Sequence, residues 1–409
     1  MKRIYLLGLM LCFSTVLLWG QSTPKPGAEN LSAYLPLLKG KSVAVFANHT
    51  AVLGKENLVD ALVKKGVKIK VIFGPEHGFR GDADAGQKID NYVDKKTGIP
   101  VISLYGKKRK PSMEDLAEVD VMLFDIQDVG VRFYTYISSL EEYMQAALDA
   151  DIPLIILDRP NPNGHYVDGP VLDKKFKSFI GMQSVPVVYG MTIGEYGKML
   201  HGEGWVQRVM LPTAKYAPPK FTLTVIPCQQ YTHKSVYALP VKPSPNLPNL
   251  ASIYWYPSTC FFEGTALSEG RGTEKPFMLF GHPDLPKHLT AFTPKAIPGA
   301  LNPKLKDKLC YGWDLSNTPE VVRKQVGDQM NLKYLLEAYQ LFPQKDSFFL
   351  RPKSGKPEDF FFNKLAGNAE LMEQIKRGES ELSIRNSWQS DIQAFKKIRK
   401  KYLIYPDFE

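Results

Sequence analysis

Glu76 and His77 stand in a turn of glycines and charges, Gly74-Pro-Glu-His-Gly-Phe-Arg-Gly81, directly after an apolar run at 68–73. A glutamate so placed suits general acid or base chemistry. The plainer reading pairs Glu76 with Arg80 and leaves His77 to cap a helix. Two further apolar runs end in the same way. Residues 119–124 lead into Asp125-Ile-Gln-Asp-Val-Gly-Val-Arg-Phe-Tyr-Thr-Tyr136, and residues 152–157 lead into Asp158-Arg-Pro-Asn-Pro-Asn-Gly164. Asp125 and Gln127 fall on one side of an extended chain. Arg132 can fork onto a carboxylate, and Tyr134 and Tyr136 offer aromatic faces of the kind that grip a sugar ring. Against this, the tyrosines can be core residues, Arg132 can neutralise Asp125, and Asp158 with Arg159 can be an ion pair.

The second half of the chain offers Glu263 and the run Glu269-Gly-Arg-Gly-Thr273. Facing the same rim across a cleft, these would add a second carboxylate and another anion-binding group, Arg271. Two carboxyl groups flanking a scissile bond are the usual equipment of glycoside hydrolysis.

The elements that must position these loops are legible. Buried parallel strands read as continuous apolar stretches, and open α/β sheets bind ligands beyond the carboxyl ends of their strands. Strands are expected at 42–46, 68–73, 100–104, 119–124 and 152–157, with a further one at 185–189. Helices are expected at 56–65, 138–150 and from Ser112 to Leu116. Thr192 and Glu195 have capping-box spacing at the start of another helix, which makes Glu195 structural. A basic, amphipathic last helix at 390–402 reads as one packed on a core. Strands alternating with helices imply an α/β fold with a Rossmann-like, doubly wound parallel sheet. Prolines crowd the chain from residue 211 onward. The expected organisation is a signal peptide at 1–22, a Rossmann-like α/β domain at 23–210, and a smaller α+β C-terminal domain at 211–409 closing the cleft.

Composition narrows the function classes. Two domains suit 409 residues. The formal net charge is +10, but the basic residues are dispersed and no recognised nucleic-acid motif occurs, so nucleic acid is not an expected partner. Met1-Lys-Arg, an apolar run at 4–19 and Gly20-Gln-Ser22 form a secretory leader. The protein is therefore expected to be secreted or periplasmic, with no stable membrane insertion after cleavage. Cys228, Cys260 and Cys310 are odd in number and widely spaced, which suits buried thiols better than a disulfide framework or a zinc site. There is no G-x-S-x-G, P-loop, H-E-x-x-H or complete G-x-G-x-x-G pattern, and no metal or other cofactor is expected.

Taken together, the five segments Phe-Ala-Asn-His-Thr50, Gly74–Gly81, Asp125–Tyr136, Leu157-Asp-Arg-Pro-Asn-Pro162, and Glu263-Gly-Thr265 with Ser268–Thr273 resemble the NamZ/YbbC family of exo-acting β-N-acetylmuramidases. The resemblance runs through nearly the whole mature chain. It implies a secreted or periplasmic glycosidase that removes N-acetylmuramic acid from the non-reducing end of peptidoglycan fragments, such as muropeptides and muramic acid–glucosamine saccharides. It also implies a cleft between a Rossmann-like domain and a smaller one, with no nucleotide needed. On this reading Glu76 is the general acid/base. His77, Arg80, Asp125, Gln127, Arg132, Tyr134, Asp158 and Arg159 line the pocket, joined by Asp128, Tyr136 and Asn161 from the same loops. The second catalytic group is Asp125, Asp128, Glu263, Glu269 or the substrate's own acetamido group. Arg271, Arg132 or Arg159 would meet the lactyl carboxylate of muramic acid. The alternative is a receptor that binds muropeptides in the same cleft without cleaving them.

Overall fold

Strand β1 (Ser42–Ala47) is buried at every position and serves as the axis of the fold. The computed structural model describes residues 23–76, 78–81, 90–209 and 220–409. The expected leader at 1–22 and His77 lie outside the described residues. Around β1 the chain lays down β2 (Lys68–Gly74), β3 (Tyr92–Val93), β4 (Pro100–Ser103), β5 (Val121–Asp125), β6 (Leu154–Leu157) and β7 (Leu223–Ile226). Their order is β3-β4-β2-β1-β5-β6-β7. Every pairing is parallel except β3 with β4 at one edge. The chain builds outward from β1 on one side, then returns to build on the other. That reversal opens a crevice at the carboxyl ends of β1, β2 and β5.

Successive residues of β1 point to opposite faces of the sheet, and both faces are covered. Val43, Val45 and Ala47 pack with Tyr34 and Leu38 of α1 (Leu31–Leu38) and with Leu58 and Leu62 of α2 (Leu58–Lys64). Ala44 and Phe46 join Phe73, Phe124 and the inner face of α3 (Tyr136–Ala150). There the Tyr143 ring stacks 5.1 Å from Phe46. This is the doubly wound sheet that the apolar runs imply. Helix α4 (Ile193–Gly202) begins with the expected capping box between Thr192 and Glu195.

Three expectations change. Residues 112–116 make reciprocal Ser112–Asp115 hydrogen bonds but form only a turn. Residues 185–189 are not a sheet strand, because their backbone is used by neighbouring loops. Val188 bridges singly to Val131 and to Asp168, and the Val187 carbonyl accepts the Arg132 amide. The parallel sheet also continues past the boundary expected at 210, since its edge strand β7 begins at Leu223.

The C-terminal half opens with α5 (Leu250–Thr259), capped by Asn249, and a 3₁₀ turn at Cys260–Gly264. A small antiparallel sheet follows, made of β8 (Leu279–His282), β9 (Thr290–Phe292) and β10 (Cys310–Asp314) in the order β8-β10-β9. Short helices then run from Pro319–Val326 to Gln389–Arg399, the last of them the expected basic helix.

The two halves share one core. Phe133, Tyr256, Phe261, Phe277, Phe280 and Phe362 belong to the same apolar cluster as Phe46 and Phe124. Buried polar groups reinforce the junction. Arg132 donates across it to the Leu365 carbonyl at 2.8 Å, and Arg399 donates to the Gly190 carbonyl at 2.6 Å. Cys228, Cys260 and Cys310 are free and buried. Among the described residues no helix is long and apolar enough to cross a membrane.

Candidate active site

A cleft of about 440 Å³ lies at the crevice and is walled by both halves. Its N-terminal wall carries Glu76, Tyr105, Arg109, Tyr134 and Tyr136, and its C-terminal wall carries Tyr256, Glu263, Arg271 and Phe277. Glu76 follows β2 in a turn that depends on glycine. Gly78 has φ +75°, and Gly81, at φ +79°, lies so close to His49 that a Cβ would stand 2.6 Å from its ring. His49 in turn hydrogen-bonds the Lys242 carbonyl at 2.9 Å, tying this turn to the segment that brings Ser244, Asn246 and Leu247 to the cleft.

The Tyr105 hydroxyl donates to Glu76 Oε1 at 2.9 Å. Burial, followed by the charge of Glu76, pushes the Tyr105 hydroxyl well above its usual range, so it remains a donor. Tyr134 and Tyr136 stand edge to face with centroids 4.9 Å apart. Asn48, at the end of β1, donates to the Tyr136 hydroxyl at 2.8 Å, and the Tyr134 hydroxyl donates to the Pro243 carbonyl at 2.7 Å. Each ring is thus fixed at its polar end, and both line the cleft.

On the opposite wall, Arg271 Nη2 donates to Glu263 Oε1 at 2.5 Å, and its Nε lies 3.3 Å from Glu269 Oε1. Lys304 stands 2.9 Å from the other Glu269 oxygen. Burial opposes the Arg271 charge, but Glu263 and Glu269 outweigh it and hold the guanidinium protonated. Glu269 itself is buried behind Arg271 and does not line the cleft.

Of the residues expected at the site, Glu76, Tyr134, Tyr136, Glu263 and Arg271 line the cleft; most of the others form a bonded layer beneath it. Arg80 spans Asp60 and Asp94 instead of reaching a ligand. Asp125 is fully buried against Arg159, with Nη2 to Oδ2 at 2.8 Å, so its partner is Arg159 and not Arg132. Arg132 spends its terminal nitrogens on the carbonyls of Pro170, Val185 and Leu365. Gln127 donates to the carbonyls of Asp128 and Pro160. Asp158 accepts from Thr192, Gly194 and Tyr405. Asn161 donates to the Met191 carbonyl and packs against Gly130, where a Cβ would sit 2.2 Å from its side-chain oxygen. Buried polar groups must be hydrogen-bonded, and these loops turn inward to satisfy one another. Arg132 and Arg159 are thereby removed from the set that could meet a substrate carboxylate. Asp125, Asp128 and Glu269 are likewise removed as second carboxylates in the cleft.

Asp128 accepts from the Tyr189 hydroxyl and the Gly130 amide. Burial pushes its carboxyl up from 3.8 to about 6 against these two bonds, and burial does the same to Asp158. Between those values the folded protein holds protons that the unfolded chain has released. The stability they contribute is therefore greatest at low pH and declines as pH rises through about 6. Asp128→Asn is expected to flatten this decline, and thermal unfolding midpoints measured from pH 4 to 7 check it; an unchanged slope would contradict the assignment.

Tyr105 and Arg109 were not singled out from the sequence, although the rule that found the other loops applies to them. They follow the apolar run at 100–104 as Tyr105-Gly-Lys-Lys-Arg109, immediately after β4. Tyr256 lies in an aromatic stretch whose helical face only the fold reveals. Among the described residues no group of three or more histidine, cysteine or carboxylate side chains is placed to hold a metal.

Comparison with known proteins gives consistent matches along the chain. Residues 43–251 match the family description "Exo-beta-N-acetylmuramidase NamZ, N-terminal", and residues 254–405 match "Exo-beta-N-acetylmuramidase NamZ, C-terminal". The two meet near the start of α5. A protein of Bacillus subtilis (strain 168) named peptidoglycan beta-N-acetylmuramidase NamZ is 38% identical over 410 residues, spanning 94% of this chain and 93% of that one. Two crystal structures of DUF1343 family proteins from Bacteroides fragilis NCTC 9343 share the fold. One has a TM-score of 0.81 at 44% identity, covering 94% of this chain and 100% of that one. The other has a TM-score of 0.74 at 27% identity, covering 93% and 99%.

Proposed function

The chain belongs to the exo-β-N-acetylmuramidase NamZ family, and from that premise we propose that it removes N-acetylmuramic acid from the non-reducing end of peptidoglycan fragments. The leader-like segment at 1–22 supports export, and with it a role in cell-wall turnover outside the cytoplasm. The observation that carries the reading is that Glu76 and Glu263 enter one aromatic-walled cleft from opposite halves of the molecule.

Glu76, steadied by the Tyr105 hydroxyl, protonates the bridging oxygen as the bond to the anomeric carbon breaks. Glu263, oriented by Arg271, is the second carboxylate and faces the positive charge that develops on the sugar ring. Water adds its hydroxyl to the anomeric carbon and its proton restores the acid. Tyr134, Tyr136 and Tyr256 form the walls against which the ring lies.

Exo action is tested with a longer glycan that begins in N-acetylmuramic acid. The expected early product is the free monosaccharide with a chain one sugar shorter. Early release of internal oligosaccharides would overturn the exo assignment, and stable binding with no release would favour a receptor.

A further inference from the structure

We infer that Arg109 is the group that reads the lactyl carboxylate of muramic acid, a specificity role that rests on the glycosidase reading above. Arg109 and Arg271 are the arginines of the described residues that line the cleft. Arg271 is committed: its fork is held by Glu263 and Glu269, and turning it toward a substrate anion would strip Glu263 of its support. Arg109 is not. It is exposed, and its side chain is placed against an aromatic ring and not a carboxylate. Its guanidinium lies 4.1 Å over the ring of Phe179, which also lines the cleft. A cation–π contact uses none of the guanidinium N–H groups in a hydrogen bond to an acceptor oxygen, so they can still pair with a carboxylate in a two-bond fork.

The placement links recognition to catalysis. Arg109 and Tyr105 belong to one short loop after β4, and Tyr105 holds Glu76. The Tyr105 hydroxyl also feels the charge of Arg109. A muramic acid anchored through its lactyl group at Arg109 is therefore registered by the same loop that positions the acid on its glycosidic oxygen. A sugar lacking the lactyl group leaves the cation unpaired once the substrate covers it, and polar contacts of that kind discriminate steeply.

The test compares binding of N-acetylmuramic acid and its lactyl methyl ester to wild type, Arg109→Met and Arg109→Lys, by titration calorimetry. Wild type is expected to prefer the free acid by about tenfold or more, as befits a charge-assisted fork. Arg109→Met should bind acid and ester alike, with Arg109→Lys between them. Turnover of a muramic acid–glucosamine disaccharide should show the change mainly in KM. Undiminished preference for the acid in Arg109→Met would overturn the inference while the glycosidase reading stands. Wild type that binds neither sugar and cleaves no disaccharide would overturn both.

Discussion

Glu76→Gln is expected to give a folded protein that hydrolyses the muramic acid–glucosamine bond at least about a hundredfold more slowly, the low end of what a positioned general acid contributes. The amide oxygen can still accept from Tyr105, so the local hydrogen bond and the fold survive; what is lost is the transferable proton. The loss should shrink on an aryl glycoside whose phenolate leaves without protonation, and this comparison isolates the acid step from binding. Steady-state kinetics on both substrates, with circular dichroism to verify folding, checks it. Near-normal turnover of the disaccharide would remove Glu76 from the role.

Arg159→Met is expected to destabilise the protein by about 3–5 kcal/mol, because it leaves Asp125 as an unpaired carboxylate in the interior. Asp125 and Arg159 are buried essentially completely, and the arginine also reaches the Val52 carbonyl. Burial pushes the Asp125 carboxyl up while Arg159 pulls it back down, so its ionised form depends on that one partner. The double variant Asp125→Asn/Arg159→Met should recover part of the loss, since the stranded charge is gone. Denaturant unfolding of the three proteins decides the matter. A single variant as stable as wild type, with weakened substrate binding, would return Arg159 to the pocket.

The sequence reveals most of the scaffold, because strands buried on both faces cannot alternate and so advertise themselves as apolar runs. β1, β2, β4, β5 and β6 are visible in this way, and with them the rim at their carboxyl ends. The antiparallel edge strand β3 and the edge strand β7 are short or half-exposed, and lack that signature. Residues 185–189 carry a strand-like composition, but Arg132 and the loops around Val131 and Asp168 take up their backbone groups.

At the site, the sequence locates the loops but not which of their side chains turn outward. Asp125, Asp158, Arg132 and Arg159 carry the same carboxylate and guanidinium groups as Glu76, Glu263 and Arg271. Partner choice separates an internal ion pair from a cleft-facing acid, and partner choice depends on packing across more than 30 residues of chain. Arg132 illustrates the point: it neutralises no carboxylate and instead pins three carbonyls, one of them in the C-terminal half. Glu76, Tyr134 and Tyr136 line the cleft because they sit where the chain leaves the sheet at the switch point, although Asp125, Asp128 and Arg132 of the same segments turn inward.

Hydrolysis of a muramic acid glycoside in this cleft is tested most directly by chromatographic product analysis after the protein is incubated with a muramic acid–glucosamine disaccharide, and in parallel with the counterpart lacking the lactyl group. Equal amounts of free N-acetylmuramic acid and N-acetylglucosamine are expected from the first, with little or no cleavage of the second. Intact disaccharide after prolonged incubation with folded protein would contradict this expectation.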